Sequence, residues 1–145
     1  MSKLSEAMKP HLDQVAERLL AEVTGVRHVL ILTTDGLKAA VAGELGEDDQ
    51  DRAAAMSAGL LSAARAATQA LAGNEELAIS QVITECSGAD GGPRGWAIIM
   101  GAGNNIALAV WAGPEADIGV IAHRMTAHAA SLAGLLTAPA RSDER

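Results

Sequence analysis

Two runs in the C-terminal half, Gly95-Trp96-Ala97-Ile98-Ile99-Met100-Gly101 and Ile106-Ala107-Leu108-Ala109-Val110-Trp111-Ala112, constrain the fold more than any other feature. Each has the length of a strand and is apolar at both odd and even positions. Successive side chains on a strand point to opposite faces, so a sheet with one wet face would alternate apolar with polar. A strand apolar throughout must be covered on both sides. The two runs therefore predict a sheet held between two layers of helix.

The remaining segments supply those layers. Leu12, Val15, Leu19 and Val23 recur at helical spacing between polar residues, which predicts a one-sided helix over about 11–24, ended by Gly25. Two strands follow, about 27–33 and 37–43, joined at Asp35-Gly36, a dipeptide that accepts the positive φ of a tight hairpin. The acids Glu47, Asp48, Asp49 and Asp51 lead into a second helix over about 51–72, where they complement its positive N-terminal end. Met56, Leu60, Leu61, Ala64, Ala67 and Leu71 form its apolar stripe, and most of its other positions are small. A third strand is expected over about 77–86, and the last helix over about 116–137, after Gly113-Pro114. The order is helix, two strands, helix, three strands, helix, an α/β chain of the α+β kind built as a three-layer sandwich around a five-stranded antiparallel sheet.

At 145 residues the chain has the length of a single domain, its core running from about 11 to 137 and residues 138–145 forming a flexible tail. Hydrophobic residues make up 49%, yet no run approaches the roughly 20 apolar residues of a membrane span, so no membrane insertion is expected. The N-terminus lacks a signal-peptide pattern and there is one cysteine, Cys86, which together predict a cytoplasmic protein. A net charge of −7, scattered basic residues and the absence of Phe and Tyr argue against nucleic acid as a partner.

Nothing in the chain assembles into a reaction. Gly101-Ala102-Gly103 begins like a dinucleotide fingerprint but joins two strands and lacks the third glycine. No phosphate-cradling loop occurs. Ser57 falls within a helix rather than on a nucleophile elbow, and Cys86 ends an apolar strand with no second cysteine beside it. His123 and His128 stand five apart on a helix, out of register for one metal. Asp35 is a turn residue rather than an acid catalyst. No catalytic residue, metal ligand or cofactor is assigned, and the chain is expected not to be an enzyme.

The element order, with Val23-Thr24-Gly25-Val26-Arg27-His28 before a strand, Thr34-Asp35-Gly36-Leu37 in the hairpin, the small-residue second helix and Leu108-Ala109-Val110 in the last strand, resembles the roadblock/dynein light chain family over about 11–137. The resemblance is to its actinobacterial members, which occur with a small Ras-like GTPase. It implies the roadblock (profilin-like) fold with sheet order 2-1-5-4-3, two helices on one face and one on the other. It further implies a non-enzymatic regulator or scaffold of a Ras-like small GTPase, acting as a homodimer in a signalling module with a membrane histidine-kinase-like protein. In that sheet order the third strand is an edge, and Leu77-Ala78-Ile79-Ser80-Gln81-Val82-Ile83 contains neither Pro nor Lys to block pairing. The candidate dimer surface is therefore Met56, Leu60, Ala64, Ala67 and Leu71 on the helix with Ile79, Gln81 and Ile83 on the strand. Arg65 and Arg94 are the arginines expected nearest a partner surface, against the plainer reading of each as a solvated charge. The competing class is a small-ligand-binding sensory domain, since a sheet-and-helix fold of this size can enclose a metabolite.

Overall fold

The computed structural model describes residues 3–137, so the tail expected over 138–145 lies outside the described residues. The elements run α1 (Lys3–Glu22), β1 (Val26–Thr33), β2 (Lys38–Gly43), α2 (Glu47–Leu71), β3 (Val82–Ser87), β4 (Pro93–Gly101), β5 (Ile106–Ala112) and α3 (Ile118–Thr137). All five strands form one antiparallel sheet in the order β2-β1-β5-β4-β3, as the family resemblance implied.

The doubly apolar strands sit at the centre, and their two faces differ in size. On one face Val29, Val110 and Ile98 stand in one cross-strand row and Ile31, Leu108 and Met100 in the next. These rows are buried under Leu12, Val15 and Leu19 of α1 and Ile121, Met125 and Leu132 of α3. On the other face the rows read Leu30, Ala109, Ile99 and Leu32, Ala107, Gly101. The alanines keep this face shallow, so α2 comes down onto Leu30, Leu32 and Ala107 through Ala54.

Several boundaries differ from those expected, each for a local reason. α1 starts at Lys3 and runs through Pro10, which cannot donate its backbone hydrogen bond. The added turns are tied down elsewhere: Met8 packs on the core, and the Lys9 ammonium donates to Asp13 at 2.9 Å and to the Ala39 carbonyl at 3.3 Å. α2 starts at Glu47, so the acids form its first turn instead of preceding it. Lys38 answers them, lying 3.4 Å from Asp51 and 3.7 Å from Glu47. α3 starts at Ile118 because the Asp117 carboxylate accepts the N–H groups of Gly119 and Val120 at 3.0 and 3.2 Å, an N-cap. β3 starts at Val82, five residues later than its apolar pattern predicts. Leu77 and Ile79 do alternate with exposed neighbours and are half-buried, Ile79 beside a cavity that α2 also lines, but no strand pairs with them.

The Asp35-Gly36 bend is a three-residue hairpin loop. The Gly36 N–H donates to the Thr33 carbonyl at 2.9 Å, the Thr33 N–H to the Leu37 carbonyl at 2.8 Å, and the register slips between Ile31 and Leu32. Gly36 alone takes a positive φ, +99°, the pattern of a type I turn closed by a glycine bulge rather than a two-residue turn. Asp35 accepts the Thr33 hydroxyl, which in turn accepts the Leu37 N–H at 3.1 Å. Gly36→Val should lower the melting temperature by several degrees, because a β-branched residue is strained there and its Cβ would stand 3.4 Å from the Ala55 Cα. Asp35→Asn should melt within about 1–2 °C of the wild type, since the amide oxygen still accepts that hydroxyl.

α1 and α3 are joined by one polar cluster. Glu22 meets Arg124 Nη2 at 2.9 Å and His128 Nε2 at 3.1 Å. The hydrogen bond from His128, followed by that from Arg124, holds the Glu22 carboxyl below its usual value of 4.5. A folded-state pKa that is lowered stabilises above the unfolded value and loses that contribution as pH falls through the folded one. Thermal melts across pH 3–7 should therefore show a loss of stability below about pH 4.5 that is shallower in Glu22→Gln than in the wild type.

Candidate functional site

The surface that stands out is built by α2 and the β3 side of the sheet. α2 is long for its seat: at about 1.5 Å per residue its 25 residues span roughly 37 Å, yet it packs chiefly over β1 and β2. Ala53, Ala54, Ala58 and Leu61 turn toward the sheet. The single stripe expected from sequence thus splits, with Leu61 taken by the sheet and the others left outward. Met56 is 66% exposed and Leu71 88%, with Leu60 and Ala67 also exposed and Ala64 half-buried. These five lie within about a quarter-turn of one another around the helix.

Beside this stripe α2 leaves a slot over the sheet. Ala97, Ile99 and Trp111 face α2 across a slot of about 140 Å³ that Ala53, Ser57 and His28 also line. Trp111 lies against Gly95 so closely that a Cβ there would stand 2.8 Å from its Cη2. Sequence reasoning did not pick out this slot, although the alternate alanines of β5 are its signal: they shorten one face of the central strand under α2.

β3 closes the sheet at this side and pairs only with β4. Of the three residues expected on its edge, Ile79 and Gln81 precede the strand and take no part in its ladder. Ile79 is half-buried next to α2, and Gln81 is exposed beside Met100. Ile83 is in the strand and 44% exposed, but its cross-strand partner is Ile98, which places it on the α1–α3 face, away from α2. The structure therefore brings the five helix residues together and divides the three strand candidates. Arg94 is held by its own turn, its Nη2 3.1 Å from Asp90, whose carboxyl is kept below the usual value by the Gly92 N–H and then by Arg94. Arg65 is exposed on α2 and meets no carboxylate among the described residues.

No three His, Cys, Asp or Glu side chains among the described residues converge to hold a metal ion. Ser57 is half-buried on the side of α2 that meets the sheet. Cys86 is a half-buried free thiol 3.8 Å from the Thr84 carbonyl. No helix among the described residues is long and apolar enough to cross a membrane.

Solved structures share this architecture. A Roadblock/LC7 domain from Streptomyces avermitilis superposes with a TM-score of 0.74 at 28% identity, covering 87% of this chain and 98% of that one. The gliding protein MglB of Thermus thermophilus superposes at 0.68 with 20% identity over 92% of this chain and 90% of that one. MglB of Myxococcus xanthus does so at 0.67 with 19% identity over 86% and 94%. No curated protein matches the sequence significantly. A family model described as the Roadblock/LC7 domain matches residues 12–112, from the buried Leu12 of α1 to the end of β5, and the chain belongs to that family.

Proposed function

We propose that this chain works as a homodimer that regulates or scaffolds a Ras-like small GTPase without itself catalysing a reaction. The observation that carries the reading is the pairing of an outward apolar stripe on α2 with an open sheet edge at β3. A second copy, related by a two-fold axis, offers each feature its like: stripe against stripe, and edge against edge in one continuous sheet. One MglB structure is described as having a tetrameric arrangement, which supports self-association in this fold. The GTPase partner rests on the family's usual role, as does a histidine-kinase-like membrane protein in the same module. A cytoplasmic setting fits both.

Light scattering at tens of micromolar should give twice the 14.8 kDa chain mass. Ala67→Asp should weaken the dimer by about tenfold or more while leaving the fold intact, because Ala67 is exposed in the single chain and becomes buried only at the interface. A clean monomer mass for the wild type would overturn the proposal.

A GTPase that co-purifies from the native host, loaded in turn with GTP and GDP, is then titrated with the dimer. A regulator should bind the two forms with affinities differing by about fivefold or more, since a ligand that binds two states equally cannot shift them. Equal affinities would identify a passive scaffold.

A further inference from the structure

On the other side of α2 lies a cavity of about 450 Å³, between the helix and the tips of the β1–β2 and β4–β5 hairpins. Leu61 and Ile79 give it an apolar wall, while Arg65, Ser62, Thr34 and Asn105 give it a polar one. We propose that this cavity binds a small aliphatic monocarboxylate, with the Arg65 guanidinium taking the carboxylate and the apolar wall taking the tail. The proposal is independent of the GTPase reading.

Charge points to the anion. The chain has 18 acidic and 11 basic residues apart from histidine, and Arg27, Arg52, Arg94 and Arg124 each meet a carboxylate. Arg65, like Arg18 on α1, meets none among the described residues, but Arg65 also borders a cavity, and no acid lines it. A guanidinium presents paired donors that match the two oxygens of a carboxylate. A single cation flanked by neutral hydroxyls suits one negative charge, whereas a dianionic phosphate would leave one charge unanswered beside an apolar wall.

The polar rim is fixed before any ligand arrives. The Thr34 N–H donates to the Asn105 carbonyl at 2.8 Å, and the Thr34 hydroxyl lies 3.4 Å from the Asn105 side-chain oxygen, tying the two hairpin tips together. Asn104 and Asn105 hold left-handed φ angles of 52° and 66°, closed by the bond from the Ala102 N–H to the Ile106 carbonyl at 2.8 Å. The volume falls at the small end of the range of about 300–1,000 Å³ usual for ligand pockets. At 100° per residue, the cavity side of α2 lies about 150° around the helix from the Met56–Leu71 stripe, so contacts made through that stripe do not reach the cavity.

Isothermal titration of the full chain with butyrate, pentanoate and hexanoate tests the proposal, with hexan-1-ol and inorganic phosphate as controls. Affinity should rise roughly threefold to fourfold with each added methylene, as expected for a tail that leaves water. Both controls should bind at least about tenfold more weakly than hexanoate, and Arg65→Gln should weaken hexanoate by a similar factor while melting like the wild type. Ala67→Asp, on the stripe, should leave hexanoate affinity unchanged whatever it does to the dimer. Absence of hexanoate binding in the millimolar range, or equal binding by a folded Arg65→Gln, would overturn the proposal.

Discussion

Everything in this fold depends on covering β5 from both sides. Its neighbours β1 and β4 satisfy its backbone, but its side chains are apolar above and below, and neither face can be left to water. The two faces are answered differently because their side chains differ in size. Leu108, Val110 and Ile106 stand tall enough to fill a thick layer with α1 and α3. Ala107 and Ala109 on the reverse let α2 approach, yet α2 meets only part of the shallow face. The asymmetry makes one side a thick core and the other a thin one, over which α2 leaves a slot.

The layers were legible in the sequence because they follow from short-range periodicity. Strict helical spacing in Leu12, Val15 and Leu19, and unbroken apolar strands at 95–101 and 106–112, leave few alternatives. The order of strands was not readable from any local pattern and came from the family resemblance. Element ends were the weak point, and each miss has a long-range cause. Pro10 did not stop α1 because Met8 and Lys9 find partners on the core and on β2. Leu77 and Ile79 read as strand because alternation is indifferent to whether a residue pairs or merely packs.

The site was half legible for the same reason. Met56, Leu60, Ala64, Ala67 and Leu71 share a side of one helix, and helical geometry alone groups them. Which neighbouring apolar residue belongs to the sheet instead, as Leu61 does, depends on how α2 is laid across β1 and β2. Ile83 shows the other limit. Its place in the edge strand was expected, but its face depends on a register in which it meets Ile98, and a shift of one residue would have turned it toward α2. The cavity at Arg65 was beyond sequence altogether, since it gathers residues from α2, two hairpins and the approach to β3.

The two tryptophans carry a consequence of their own. Trp96 pairs with Ala112 and Glu85, on the α1–α3 side, whereas Trp111 pairs with His28 and Ala97, on the α2 side, and both are half-buried. With no tyrosine or phenylalanine in the chain, they are its entire aromatic complement. Its ultraviolet emission is therefore a two-channel optical readout, one lamp on each side of the sheet. A body settling over the open face would recolour Trp111 while Trp96 stayed dark to the event, so that light alone distinguishes which side of the molecule has been engaged.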